Sequence, residues 1–134
     1  MKAGILKKAT QLANKVGYVF VATADANKRP HVAVARTIKL KEDGRIAVQE
    51  WFCPGTMSNL ETNSNVSVIV WDKDTDVGYQ MIGKMENIID MHMTNGYIPK
   101  IENKQPLPDV ERQILIRLNR VVDFKRAPHS DIEE

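Results

Sequence analysis

The sequence predicts a mainly β chain, a small antiparallel barrel of six strands with an N-terminal helix and a short helix after the third strand. Three observations carry this expectation. Runs rich in Val and Ile, several of them alternating, are separated by short clusters of turn residues; an Asp43-Gly44 pair sits between two such runs; and helical spacing is confined to the first sixteen residues and one short later segment.

Residues 3 to 16 place Ile5, Ala9, Leu12, Ala13 and Val16 three and four positions apart, with Lys7, Lys8, Gln11 and Lys15 between them, and Gly17 follows. Apolar residues at that spacing share one stripe of a helix, and a glycine just beyond it ends one. Tyr18 to Ala24 is a continuous apolar run closed by the turn residues Asp25 to Pro30, which predicts a strand buried on both faces. His31 to Leu40 alternates, and Lys41-Glu42-Asp43-Gly44 turns it into a returning strand, Arg45 to Trp51. Phe52 to Met57 reads as a loop. Ser58-Asn59-Leu60-Glu61 has the capping-box pattern, opening a helix that runs to about Asn63. Val66 to Trp71 alternates as a fourth strand, ended by Asp72 to Asp76, and Gly78 to Ile89 is a long fifth strand in which Gly83 marks a bulge or a close approach. Asp90 to Asp109 contains an Asn95-Gly96 turn and Pro99, Pro106 and Pro108, which forbid a long helix. Arg112 to Lys125 is the sixth strand, and Ala127 to Glu134 reads as a flexible acidic tail. No internal repeat is present, and a length of 134 residues suits one core, so residues 1–134 are read as one domain.

Composition narrows the function. With 43% hydrophobic and 27% charged residues the chain is not of the disordered class. A balance of 19 Lys+Arg against 17 Asp+Glu leaves no cation excess for tracking phosphates, and two Trp, three Tyr and three Phe make few stacking platforms, so no nucleic-acid partner is expected. Val16 to Ala24, the longest stretch without charge or strong polarity, is far short of a bilayer span, and Lys2, Lys7 and Lys8 precede no secretory apolar run; no membrane partner is expected, and the location is read as cytoplasmic. A lone Cys53 makes no internal disulfide.

Most catalytic signatures are missing. There is no P-loop, no Gly-x-Gly-x-x-Gly, no His-Glu-x-x-His and no Cys-x-x-Cys, and His31, His92 and His129 lie in separate segments, so no metal site is expected. Met81, Met85, Met91 and Met93 read as core and interface filler, and Trp51 and Trp71 as buried rings or stacking surfaces for a planar ligand. Two features remain. The segment Cys53 to Met57 leads into a helix start, whose unpaired amides attract anions; Gly55 allows close approach, and Thr56 and Ser58 add hydroxyls suited to a phosphate. Arg36 interrupts the more apolar alternating set of its strand, Val32, Val34, Ile38 and Leu40. It either faces a cavity or subunit interface holding an electron-rich ligand, or is turned outward by a bulge, or pairs with Glu50.

The order of these pieces resembles the pyridoxamine 5′-phosphate oxidase-like, FMN-binding split-barrel family. The matching residues are Ala22-Thr23-Ala24-Asp25, Pro30-His31, Asp43-Gly44, Thr56 to Asn63 with Asn59-Leu60 inside it, and Gly78-Tyr79-Gln80-Met81-Ile82-Gly83. The resemblance covers about residues 5 to 125 and implies a Greek-key split barrel that forms a homodimer, with FMN in a cleft between subunits. It places the phosphate near Val34, Ala35, Arg36 and Thr37 and near Pro54, Gly55 and Thr56, and the ring near Gln49, Glu50 and Trp51. Two positions depart from the family pattern: Val34 and Gly55 stand where members often carry Arg or Asn, and Arg or Lys. Arg36 or Lys39, in a shifted register, or Lys84 would have to supply the missing charge. The expected function is an FMN-binding oxidoreductase of unidentified substrate, with Arg36 or a partner lysine near the flavin edge where reduction accumulates charge. The alternative is a non-catalytic binding module carrying flavin, haem or no cofactor. Residues specific to pyridoxamine phosphate are not recognisable, so vitamin B6 oxidation is not predicted.

Overall fold

The structure is a computed structural model and describes residues 3–50, 54–91, 111–128 and 132. Its elements follow in the order α1 (Ala3–Val16), β1 (Val19–Ala24), β2 (Pro30–Ala35), β3 (Thr37–Leu40), β4 (Arg45–Glu50), α2 (Pro54–Thr62), β5 (Asn65–Asp72), β6 (Val77–Met91) and β7 (Glu111–Asp123). The strands form one antiparallel sheet of seven in the order β2-β1-β5-β6-β7-β4-β3. Its two edges, β2 and β3, are consecutive in the chain and joined by Arg36 alone. Edges one residue apart require the sheet to curl, and at the bend the Arg36 N–H donates to the Gln49 carbonyl of β4 at 2.9 Å, next to the β3–β4 pair Thr37 and Gln49. This is a split barrel, as the sequence predicts.

The extra strand comes from the predicted segment His31 to Leu40, which breaks at Arg36. Ala35 is buried at an odd position and Ile38 at an even one, so the face turned to the core changes across the bend. Strand side chains alternate strictly, and such an offset requires an irregular residue between them. Accordingly the predicted core face is corrected: Val32, Val34 and Leu40 are exposed at 60, 56 and 42%, and Ala35 faces inward opposite Val19. β1 is corrected in the same way. Val19, Val21 and Thr23 are buried, but Phe20 between them is exposed, so the strand is covered on one face rather than both.

Other elements follow their sequence signals. α1 turns Ile5, Leu6, Ala9 and Ala13 into the core, and Gly17 stops it with φ +98° and a 2.8 Å bond to the Ala13 carbonyl. Asp43 and Gly44 both take positive φ, as a tight primed hairpin turn requires. The pairing of β6 with β7 shifts register at Ile82/Gly83, where the sequence predicts a bulge. Asp76 holds the end of β7: its carboxylate accepts from Trp71 Nε1 at 2.9 Å and from the N–H groups of Arg126 and Ala127 at 2.8 and 3.0 Å. The tail expected to be flexible is thus tied at its start, and again where the Asp123 N–H donates to the Ile132 carbonyl. The predicted turn and proline-interrupted stretch at 92–110 lies outside the described residues. Among the described residues no helix is long and apolar enough to cross a membrane.

Met81, at 0% exposure, sits in the middle of the core between β5 and β7. Truncation there removes buried methylenes and leaves a cavity, so Met81→Ala is expected to lower unfolding free energy by about 2–5 kcal/mol in urea titrations; a loss below about 1 kcal/mol contradicts this packing.

Four carboxylates are held below their ordinary range. Arg45 and Arg117 donate to Glu86 at 2.7 and 2.8 Å, Lys15 lies 2.9 Å from Asp72, backbone N–H groups of Arg126 and Ala127 and the Trp71 indole bind Asp76, and the Arg29 backbone and side chain bind Asp25. The unfolded chain therefore takes up protons at higher pH than the folded one. The stabilisation is complete above the ordinary carboxylate range, about pH 4–5, and is lost as pH falls through the lower folded values. Denaturation midpoints are expected to be level from about pH 7 to 5 and to fall below about pH 4, with a shallower acid limb in Glu86→Gln. An unchanged acid limb in that variant contradicts the assignment.

Candidate functional site

The helix α2 begins at Pro54, four residues earlier than its capping-box pattern predicts, so Ser58 lies inside the helix and is exposed. A proline is suited to the first helical position, because its fixed φ is helical and the N–H it lacks would have no partner there. The predicted Pro54–Thr56 loop is therefore the first turn of the helix, where backbone N–H groups have no acceptor within the helix and the dipole is positive.

Met57 and Leu60 anchor α2 in the core, and the Asn59 side-chain amide donates to Thr23 Oγ1 on β1 at 3.0 Å. Thr23 pairs with His31 across the β1–β2 ladder. These contacts explain why the Ala22-Thr23-Ala24-Asp25, Pro30-His31 and Asn59-Leu60 motifs occur together: they are one end of the barrel with the helix lying on it. The later motif is structural as well. Gln80 donates to Ser67 at 2.8 Å, and a β-carbon at Gly78 would meet the Phe124 and Val70 carbonyls.

At the start of α2, Gly55 leaves the space an imidazole uses. A β-carbon there would lie 2.9 Å from Nε2 of His31 and 3.3 Å from Cε1. The neighbouring Thr56 is wholly buried, and its hydroxyl has no hydrogen-bond partner. Thr56 stands in the first turn of α2, so this hydroxyl lies buried close to the helix start. A buried hydroxyl without a partner costs about 1–3 kcal/mol. Its presence beside the first-turn amides, which have no acceptor within the helix, fits a phosphate, whose oxygens accept from such groups.

The remaining predicted residues lie elsewhere on β2, β3 and β4. Val34 is exposed opposite Phe20, and Ala35 is buried. Arg36 is exposed at the bend, consistent with a break that turns it outward. Thr37 is half-buried and donates to Asn14 Oδ1 at 3.2 Å, which commits its hydroxyl to α1. Lys39 is exposed; Gln49 is half-buried and pairs with Thr37 and Gln113; Glu50 pairs with Arg112; Lys84 is exposed opposite Asn65. Trp51 lies outside the described residues. His31 and Arg36 are five residues apart, about 16 Å along an extended chain. The two predicted phosphate-binding groups are thus at opposite ends of β2. His31 also lies beside the start of α2, a neighbourhood that the Pro30-His31 motif alone does not reveal.

On the outer face of β1 and β2, Phe20, Val32 and Val34 form an exposed apolar surface, with Tyr18 edge-on to Phe20 at 5.6 Å. A separate groove of about 710 Å³ at the β3–β4 hairpin, bounded by Leu40, Arg45, Ile89 and Leu115, includes none of the predicted site residues.

Fold and site together define a class: a split antiparallel barrel with a helix start laid against its second strand. The family model described as Pyridoxamine 5′-phosphate oxidase matches residues 5–110, and the chain belongs to that family. No curated protein matches the sequence. Similar solved structures include an FMN-binding protein from Syntrophomonas wolfei subsp. wolfei, with 17% identity over 92% of this chain and 88% of that one and a TM-score of 0.67. HupZ of Group A Streptococcus is similar with 21% identity, 90% and 94% coverage and a TM-score of 0.63. A pyridoxamine 5′-phosphate oxidase-related, FMN binding protein from Nostoc punctiforme has 11% identity, 94% and 86% coverage and a TM-score of 0.62.

Proposed function

We propose that the chain is a cytoplasmic, homodimeric flavoprotein that binds FMN noncovalently and works as an oxidoreductase on a small-molecule substrate. The observation that carries this reading is the buried, unpartnered hydroxyl of Thr56 beside Gly55 at the start of α2. Two structurally similar proteins are FMN-binding, which supports the choice of anion.

In this reading the Gly55 and Thr56 amides and the Thr56 hydroxyl hold the phosphate, with Pro54 fixing the turn and Ser58 on the exposed surface beyond. Val34, on the outer face, gives an uncharged wall that Ala35 backs from the core side, while Arg36, Lys39 and Lys84 would supply positive charge nearer the ring; Gln49, Glu50 and Trp51 would border it. FMN, when bound, supplies the hydride or electron transfer. The chain's part is to orient it and to place a cation, Arg36 or a partner lysine, where negative charge would gather. The exposed Phe20, Val32 and Val34 surface supports a second copy as the partner, since exposed apolar side chains grouped on one sheet face mark interaction surfaces.

Purified protein that is yellow, releases FMN on denaturation and bleaches on reduction supports this function. Protein that stays colourless after FMN is added rejects it in favour of a cofactor-free module, and a Soret band would assign it to haem carriage.

A further inference from the structure

The start of α2 has the hydrogen-bond donors a phosphate needs but no cation of its own: the helix Pro54–Thr62 contains no Lys or Arg. The imidazole of His31, brought over from β2, lies against Gly55 in the first turn, with Nε2 the ring atom nearest to where a Gly55 β-carbon would stand. β2 pairing with β1 holds the His31 backbone opposite Thr23, and Thr23 in turn accepts from Asn59 of α2. Ring and helix start therefore belong to one rigid unit, while the exposed side chain remains open to protons from solvent.

We propose that His31 is the cationic arm of this anion site: protonated, it binds a phosphomonoester seated on Gly55 and Thr56, so that the chain selects FMN over phosphate-free riboflavin in a pH-dependent manner. This rests on the FMN reading above and adds the residue that supplies the missing charge. An imidazole is the side chain that ordinarily gains its charge between pH 5 and 8, and a charge-assisted bond to phosphate is stronger than a neutral one. The other charged groups on elements packed against β2 are few. In the β1–β2 turn Asp25 and Arg29 are bonded to each other at 2.8 Å, and Lys28 is exposed. β4 carries Arg45, bonded to Glu86, and ends at Glu50; α2 carries Glu61, six residues beyond Gly55.

The test is equilibrium titration of the full chain with FMN and with riboflavin, followed by flavin fluorescence, from about pH 5.5 to 8.5. It uses the native chain, His31→Gln and His31→Lys. Because the phosphate itself titrates near pH 6, the informative quantity is the ratio of variant to native Kd at each pH. For FMN, His31→Gln is expected to raise this ratio about tenfold at the acid end, falling toward one at the alkaline end. His31→Lys, charged throughout, is expected to bind FMN more tightly than the native chain at the alkaline end. Riboflavin ratios are expected to stay near one. A His31→Gln ratio for FMN that does not change with pH, or that riboflavin reproduces, overturns the role of His31 while leaving FMN binding intact. Failure of the native chain to bind FMN at any pH overturns both readings.

Discussion

Replacing Gly83 by alanine is expected to remove about 3–5 kcal/mol of stability, a large share of the roughly 5–15 kcal/mol that holds a domain of this kind folded. Gly83 sits at the register shift between β6 and β7, and its backbone lies directly against the neighbouring strand. A β-carbon would run into the Arg117 carbonyl oxygen and approach Leu118 Cα at 2.8 Å and the Arg117 carbonyl carbon at 2.9 Å. Those are main-chain atoms of a strand paired on both sides, to β6 and to β4, so they cannot swing away as a side-chain tip does. Relief requires parting the longest ladder in the barrel. Gly4→Ala is the matching control. Nothing lies within 4 Å of a β-carbon there, and in the helix α1 the change is expected to stabilise by about 0.5–1 kcal/mol. Urea unfolding of the two variants reads both signs; a Gly83→Ala loss below about 1 kcal/mol contradicts the bulge as described.

Thr56→Val is expected to separate stability from binding. Valine keeps the shape and β-branching of threonine, but it has no hydroxyl to leave unsatisfied. Removing a wholly buried hydroxyl with no partner is expected to raise unfolding free energy by about 1 kcal/mol. If that hydroxyl serves the phosphate, the same change weakens FMN binding by about ten- to a hundredfold, while riboflavin affinity is little altered. Ordinary core substitutions move stability down and leave no such opposition between the two readouts. Lower stability with unchanged FMN affinity would make Thr56 a structural residue and remove the main support for the site.

Much of this barrel is legible in the chain because local chemistry and the fold agree. The helical spacing of Ile5, Ala9 and Ala13, the glycine stop at Gly17, the Asp43-Gly44 turn and the alternation of Val66, Val68 and Val70 each have one economical solution, and the structure adopts it. Where two local signals compete, the sequence pattern alone does not say which one prevails. Ser58-Asn59-Leu60-Glu61 looks like a helix start, yet Pro54 opens the helix four residues earlier. Alternation also cannot say which face is inside. Val32 and Val34 look like core and are exposed, whereas the smaller Ala35 is buried opposite Val19, because the sheet turns at Arg36 and the face changes with it. The candidate site is read from the sequence only in its local part. Gly55 and Thr56 carry their own signal as a glycine and a hydroxyl at a helix start. His31 lies 24 positions earlier and reaches them only through the pairing of β2 with β1 and the packing of α2, which no local pattern encodes.

Sedimentation velocity of the full chain with FMN, followed through the flavin's visible absorbance, tests the central claim most directly. Flavin travelling with a species of twice the 15.2 kDa chain mass is the predicted result. Flavin left behind as free cofactor, while the protein sediments as single chains, would contradict it.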